Sequence, residues 1–277
     1  MKEALRSYAV LFSILFLFVK PAAQKDPRTE KDYEMKEPKR TILAIGAHAG
    51  DMEIACGAVL AKQAQMGDRV VFLHLTLGEG GNPRMSAGQY GKQKKREAVE
   101  VDSLLGGESI FGPYKDGELP DDQAARRYVA NVIRKVKPTD IITHWKNSIH
   151  PDHASAHAIT VDAVLLASLP SVSTLTPYSR TEFPEWRGVR RILYTENWED
   201  MEGYQPYIYV DVTESFDVWA KAVAKYEFIG GNISSFPYLN YYKALATVRG
   251  AEGGFRYAET FDIDKFEKKL KWRSLEP

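Results

Sequence analysis

Histidines and carboxylates collect in two short segments of this chain. His48 and Asp51 stand three residues apart, directly after an apolar run and before a segment with helical spacing. His150, Asp152 and His153 follow a second apolar run, in the order His-Pro-Asp-His. Imidazole nitrogens and carboxylate oxygens are ligands of zinc, and a catalytic zinc site uses three ligands and leaves one position open. The two segments together therefore predict a hydrolytic metal site.

Structural roles compete with this interpretation. An Asp at the start of a helix commonly caps it, so Asp51 taken alone is as consistent with capping as with metal binding. His48, at the end of a strand, has no comparable structural role, and a second His/Asp segment at another strand end favours the metal site. Two further histidines, His74 and His144, lie inside predicted strands and are interpreted as core residues.

The second segment offers one ligand candidate and one catalytic candidate. His153 leads directly into a helix that would hold its ring, so it is the better third ligand. His150 lies just outside that helix and is expected to act as an acid or to stabilise a developing oxyanion. Asp152 is expected to orient an imidazole ring and favour its protonation. His157, four residues after His153 on the same helix face, is the alternative ligand.

The pattern after residue 40 alternates apolar strands with amphipathic helices. The predicted strands are 41–47, 70–77, 109–111, 140–145, 191–195 and 207–212, and the predicted helices are 51–66, 89–105, 121–136, 153–169, 214–229 and 238–249. This alternation predicts a single α/β sandwich with a mostly parallel sheet and helices on both faces. Ligands bind outside the carboxyl ends of the strands in such sheets, and both His/Asp segments fall there.

The first residues are typical of a secretory signal. Lys2 and Arg6 flank the start of the apolar stretch 8–19, and the small residues Ala22-Ala23 follow. The stretch is shorter than the ~20 residues of a comfortable membrane span. We therefore predict a signal peptide over 1–23 cleaved near Ala23, a flexible lead over 24–39 and a single folded domain over 40–277. The protein is expected to be exported, periplasmic or extracellular, with no membrane span in the mature chain; an uncleaved anchor is the less favoured alternative.

Composition excludes several classes of function. The 37 basic residues balance 37 acidic ones, so a nucleic-acid partner has no electrostatic support. Cys56 is the single cysteine, which excludes an intramolecular disulfide and predicts a small core residue. The loop Gly78-Glu79-Gly80-Gly81 carries neither a Walker lysine nor a GxGxxG pattern, and no GxSxG elbow occurs. A small molecule or a glycan is the expected substrate, and the oligomeric state is left open.

The motifs resemble those of the PIG-L (LmbE-like) family of zinc-dependent N-acetylglucosaminyl deacetylases. The family's first motif, Ala-His-Pro-Asp-Asp followed by Glu, corresponds to Ala47-His48-Ala49-Gly50-Asp51 with Glu53 in the matching place. Its second motif, His-Pro-Asp-His, is intact at 150–153. Shorter similarities bring the resemblance to roughly residues 40–263; they lie at 76–80, 96–97, 210–213, 249–250 and 257–261.

The resemblance implies a fold, a cofactor and a reaction. The fold would be a Rossmann-like three-layer sandwich with its metal site at the carboxyl ends of the strands. One Zn²⁺, or another divalent metal, would be held by His48, Asp51 and His153. The reaction would be hydrolysis of the N-acetyl group of an N-acetylglucosamine-type sugar or a related amide.

The resemblance also implies roles for three further residues. His150 matches the residue that serves as acid and oxyanion stabiliser, and Asp152 matches the residue that tunes it. Arg96 matches a family position that can contact the substrate.

Gly50 departs from the family pattern, because the family has its usual general base, an Asp, at this position. Loss of a general base typically costs about 10²–10⁴-fold in rate. One interpretation is that another group has taken over; Glu53 and Glu79 are nearest in sequence, and Glu53 is expected to point down the helix. The other is a catalytically weak or inactive relative that binds metal and carbohydrate. The ligands are retained, so the sequence supports metal binding more strongly than catalysis.

Overall fold

The computed structural model describes residues 39–200, 202–231, 233–265 and 267–268. Within these residues the strands are β1 (Thr41–Gly46), β2 (Arg69–His74), β3 (Gly107–Phe111), β4 (Asp140–His144), β5 (Arg191–Thr195), β6 (Ile208–Asp211) and β7 (Ala258–Asp262). The helices are α1 (Asp51–Gln65), α2 (Ala87–Leu104), α3 (Gln123–Val136), α4 (Pro151–Ser168), α5 (Phe216–Val223) and α6 (Tyr238–Gly253).

The strands form one sheet in the order β3-β2-β1-β4-β5-β7-β6, and only β7 runs antiparallel to its neighbours. The chain moves outward from β1 through β2 to β3, and then returns to place β4 on the other side of β1. The strand order therefore reverses between β1 and β4, and such a switch point is where α/β sheets bind ligands. The predicted α/β sandwich with a mostly parallel sheet is confirmed.

Residues of β1 alternate between two apolar cores. Ile42 and Ala44 pack with residues of α1, α2, α5 and α6 on one face. Leu43 and Ile45 pack with residues of α3 and α4 on the other. Successive strand side chains point to opposite faces, so a strand covered on both sides is apolar throughout. This burial explains why β1 is so clear in the sequence and why its carboxyl end is held rigidly.

A kink in α1 ties the start of this helix to the sheet. Cys56 is buried and has the non-helical dihedrals φ −145 and ψ 16. The backbone N–H groups of Ala58 and Val59 donate to the carboxylate of Glu259 in β7, at 3.1 and 2.7 Å. The donors left free by the kink are thus satisfied. The first turn of α1, which carries Asp51, is anchored to the sheet as a result.

Two elements differ from the predictions. β7 was not predicted, because its sequence, Ala258 to Asp262, contains no apolar run; it is held by pairing with two other strands. The helix predicted over 214–229 ends at Val223, after which Tyr226 turns into the core. The predicted signal peptide and all but the last residue of the predicted lead 24–39 lie outside the described residues. In the part of the chain described, no helix has the length and apolar character to cross a membrane.

Candidate metal centre

Three donor atoms from the two His/Asp segments converge. His48 Nδ1 lies 3.2 Å from Asp51 Oδ2 and 3.2 Å from His153 Nε2, and these last two atoms are 3.4 Å apart. Ligand atoms placed tetrahedrally about 2.0–2.1 Å from a zinc ion lie about 3.3 Å from one another. All three residues line one open cavity. The donor set therefore fits a single zinc-sized ion with a free side toward the cavity.

The turn between β1 and α1 and the first turn of α4 position these donors. The backbone N–H of His48 donates to Asp51 Oδ2 at 2.7 Å, and the N–H of Thr76 donates to the carbonyl of Ala47 at 2.8 Å. His153 stands in the first turn of α4, two residues after the proline that opens the helix. Proline suits this position because its fixed φ is helical and its missing N–H would have no partner.

Burial and charge oppose each other at the donors. Burial raises the pKa of Asp51, but the charges of His153 and His48 outweigh it and hold this pKa well below the ordinary value. Burial and the neighbouring charge of His144 hold the pKa of His153 well below its ordinary value. Burial lowers the pKa of His48, yet the carboxylates around it, first that of Asp51, leave it well above normal. An ionised Asp51 and a neutral His153 are the forms that bind metals.

Two carboxylates hold the outer nitrogen of His48. Its Nε2 lies 3.1 Å from Asp116 Oδ1 and 3.3 Å from Asp152 Oδ2. Asp152 is fixed in turn by the N–H groups of Gly117 and Leu119, at 2.7 and 3.3 Å. A hydrogen on Nε2 leaves the lone pair of Nδ1 free for a metal, which is the usual arrangement around a ligating histidine. Asp152 thus orients the ring of His48, whereas the sequence had assigned it to His150.

The outer nitrogen of His153 also lies among polar side chains. Its Nδ1 lies 3.3 Å from Ser148 Oγ and 3.5 Å from Asn197 Nδ2. Glu199 Oε2 is 3.3 Å from the same nitrogen but is not aligned for a hydrogen bond. Burial and the charge of Asp51 raise the pKa of Glu199 to about 7. Glu199 therefore lines the cavity with one carboxylate oxygen beside the outer nitrogen of this ligand ring, without a hydrogen bond to it.

Two further histidines of this region lie near the ligand candidates but do not belong to the donor triangle. His144, at the end of β4, stacks on His153 with ring centroids 4.0 Å apart, and its Nε2 lies 3.0 Å from the backbone N of Ala47 and 3.2 Å from Asp51 Oδ2. It is a core residue, as predicted, but one packed directly behind two ligand candidates. His157, the alternative ligand, bonds the carbonyl of His144 through Nδ1 at 2.9 Å and does not line the cavity.

His150 faces the cavity as a hydrogen-bond donor. It is the N-cap residue of α4, and its Nδ1 accepts the backbone N–H of Asp152 at 3.2 Å. Burial and the charge of His48 lower its pKa. A neutral ring whose Nδ1 is an acceptor carries its hydrogen on Nε2. This geometry favours stabilisation of an oxyanion over donation of a proton.

The cavity has a volume of about 220 Å³ and an aromatic wall. Arg96, predicted to contact substrate, is exposed on α2 and does not line this cavity. Lys94, two residues earlier on the helix, is buried and does line it.

The sequence did not single out Lys94, Asp116 or Glu199. Asp116 and Glu199 follow β3 and β5, so the strand-end rule that found His48 would also have found them. The aromatic wall comprises Tyr90, Trp198, Phe228, Tyr238 and Tyr242.

Gly50 is required by the backbone at its position. Its φ is +110, and a Cβ built there would lie 2.9 Å from the ring of Phe228. Neither acidic residue that the sequence offered as a replacement base lines the cavity. The carboxylate of Glu53 accepts the N–H of Gly50 and the hydroxyl of Tyr226. That of Glu79 accepts backbone N–H groups in its own loop and at residue 116.

Comparisons with known proteins agree with this geometry. Residues 43–164 match the PIG-L family, described as GlcNAc-PI de-N-acetylase. A 1D-myo-inositol 2-acetamido-2-deoxy-alpha-D-glucopyranoside deacetylase of Rhodococcus erythropolis is 30% identical over an alignment of 230 positions, which covers 66% of this chain and 77% of that protein. The chain belongs to the PIG-L family.

Two further deacetylases are similar to this PIG-L protein. A diacetylchitobiose deacetylase of Thermococcus kodakarensis is 27% identical over an alignment of 249 positions, which covers 82% of this chain and 85% of the relative. The N,N'-diacetylchitobiose deacetylase of Pyrococcus horikoshii has a solved structure with a TM-score of 0.68 at 22% identity, covering 86% of this chain and 88% of that one. At this identity the structural likeness shows a shared fold. The sequence relatives act on N-acetylglucosamine-type compounds.

We expect His153→Ala to remove most bound metal without unfolding the chain, because it deletes one of three donors. Metal content after dialysis, measured by plasma mass spectrometry beside circular dichroism, checks this. Full metal occupancy in the variant would instead assign the third ligand to another histidine, with His157 the first to test.

We expect Asp152→Asn to weaken metal binding by about 10–100-fold, since it removes a carboxylate that orients His48. Asp162→Asn, an exposed carboxylate on the same helix, is the matched control. Titration with a competing chelator measures both affinities. Equal affinities in the two variants would show that Asp152 does not support the ligand.

Proposed function

We propose that this protein is an exported, zinc-dependent deacetylase that hydrolyses the N-acetyl group of an N-acetylglucosamine-type sugar or a related amide. The observation that carries the proposal is the triangle of donor atoms at His48, Asp51 and His153, which opens to a cavity that His150 also lines. The relatives' activities support the substrate class. The N-terminal sequence supports export.

Different residues of the cavity have different roles in the proposed amide hydrolysis. A zinc ion in the donor triangle would polarise the acetyl carbonyl and lower the pKa of water. His150 Nε2–H donates to the carbonyl oxygen as negative charge develops on it, and such a donor is effective because it is fixed before the reaction begins. The aromatic wall, with Trp198 and Tyr238, provides apolar faces against which a sugar ring packs.

The alternative is a catalytically weak or inactive relative that binds metal and carbohydrate. Gly50, in the place of the family's usual base, is the feature that favours it. Acetate release from N-acetylglucosamine and diacetylchitobiose by the zinc-loaded protein, with metal content measured in parallel, separates the two. A protein that holds zinc and binds these sugars but releases no acetate from either would overturn the proposed activity.

We expect His150→Ala to leave metal content unchanged and to lower kcat by roughly 10²–10³-fold with a smaller effect on KM. A donor that acts on the developing oxyanion stabilises the transition state more than the bound substrate. Steady-state kinetics and metal analysis of the same preparation check this. Loss of the metal would make His150 a ligand and contradict its place outside the donor triangle.

We expect Gly50→Asp to fail to raise acetate release, although it restores the family's residue. A side chain at φ +110 that meets Phe228 is strained, which typically costs about 1–3 kcal/mol of stability. Gly50→Ala carries the same strain without a carboxylate and is the control; thermal unfolding measures both. A 10-fold or larger gain in acetate release by Gly50→Asp over the wild type would instead identify the wild type as an impaired enzyme.

A further inference from the structure

Lys94 carries an amine on a buried, mostly apolar face of α2. It is only 4% exposed, on the face of α2 that also buries Tyr90, Ala98 and Val101. Its Nζ donates to the carbonyl of Ala49 at 2.5 Å and lies 3.9 Å from the ring centroid of Phe228. No carboxylate of the described residues forms an ion pair with it. A buried ammonium that has only more distant carboxylates, and no direct ion pair, is unfavourable unless its position serves another purpose.

The amine of Lys94 lies beside the space that a side chain at position 50 would occupy. A Cβ built on Gly50 would point between the ring of Phe228, at 2.9 Å, and Lys94 Nζ, at 3.4 Å. Lys94 and Phe228 therefore occupy the space that a side chain at position 50 would enter. Both also line the cavity that contains the metal-ligand candidates.

The other carboxylates and the histidine that line the cavity outside the donor triangle either have their acceptor atoms bonded or lie against a ligand ring. Asp116 uses Oδ1 for His48 and Oδ2 for the N–H of Gly80. Glu199 is directed at the outer nitrogen of His153, and His150 has its acceptor nitrogen bonded at the helix start. Lys94 has a single hydrogen bond, to a carbonyl, and this bond leaves the amine free to exchange a proton.

We infer that Lys94 is the proton-transfer residue of the hydrolysis and takes the role of the carboxylate that Gly50 lacks. The inference rests on the proposed deacetylase function. In the first step a bond forms between the oxygen of water and the acetyl carbon. The water proton goes to the lone pair of Lys94 Nζ, and the carbonyl π electrons move to oxygen, where His150 stabilises them.

In the second step the carbonyl re-forms and the C–N bond breaks. The electron pair of that bond goes to the sugar nitrogen, which takes the proton from the Lys94 ammonium. Lys94 returns to the free amine, and one water has been added across the amide. The same residue thus acts as base and then as acid.

Electrostatics makes a free amine accessible near neutral pH. Burial lowers the pKa of Lys94 to about 8, although nearby carboxylates oppose this shift. A cation in the donor triangle would lower it further, because like charges repel. The free amine is the active form, so activity is expected to rise with pH through a midpoint at or below about 8. The charged or titratable groups around Lys94 are Asp51, Glu53, His74, Glu97, Asp116 and Tyr226.

Two substitutions separate proton transfer from charge. Lys94→Met removes the amine at similar volume, and Lys94→Arg keeps the positive charge on a group that does not release its proton. Both should lower kcat/KM by about 10²–10⁴-fold with metal content unchanged. Lys95→Met, an exposed lysine on the same helix, should retain wild-type kinetics. Because the bound cation lowers the pKa of Lys94, the wild-type kcat/KM should rise with pH with a midpoint at or below about 8, and Lys94→Arg should lose this rise.

A measurement independent of activity completes the test. In protein labelled with ¹³C at lysine Cε, the Lys94 resonance is identified by its absence from the Lys94→Arg spectrum. Its titration midpoint is expected near 8 rather than near the ordinary ~10.4. A midpoint near 10.4, or a Lys94→Arg variant with wild-type kcat, overturns the inference and leaves the deacetylase function standing. A wild type that releases no acetate with zinc bound overturns the deacetylase function, and the inference with it.

Discussion

β1 and β4 run side by side in parallel, with Ile42 opposite Asp140 and Ile45 opposite Thr143. This pairing brings both carboxyl ends to one edge of the sheet. His48 and His153, 105 residues apart, consequently place ring nitrogens 3.2 Å from each other. The donor triangle exists only while this register holds. The apolar cores on both faces and the anchoring of α1 by β7 maintain it, so much of the fold acts to keep two strand ends in place.

The same edge concentrates more negative charge than an apolar interior tolerates. Asp51, Asp116 and Asp152 surround His48, and the backbone N–H groups at residues 80, 117 and 119 supply part of the compensation. Fixed positive charge near these carboxylates is scarce. A divalent cation would balance the cluster, which explains why the groups that orient His48 are carboxylates rather than neutral amides. Metal affinity and local stability should therefore be coupled at this edge.

The sequence predicted the parallel sheet and the ligand candidates because each ligand lies in a short motif beside an apolar run, where the strand-end rule applies. It could not separate Lys94 from Arg96. The segment 92–96 is rich in basic residues, and which of them faces the cavity depends on the rotation of α2 about its axis. Asp116 and Glu199 follow β3 and β5, where the strand-end rule applies, but neither lies in a His/Asp motif that draws attention to it. The sequence also did not predict β7, because antiparallel pairing rather than an apolar run holds this strand in the sheet.

Two departures from local rules meet at the floor of the cavity. An apolar side chain in place of Lys94 would pack beside Tyr90 and Ala98 without burying a charge, and the aromatic faces around the ammonium recover only part of that cost. Gly50 stands at a helix N-cap, where Ser, Thr, Asp or Asn stabilise more, and does so with φ +110. Sites that violate local preferences in this way are commonly functional. Because Lys94 Nζ lies 3.4 Å from the Cβ position of residue 50, the two departures form one feature. In physical terms this feature is a proton-transfer site in which a buried amine replaces a carboxylate. The unprotonated amine is neutral, whereas the unprotonated carboxylate is negatively charged.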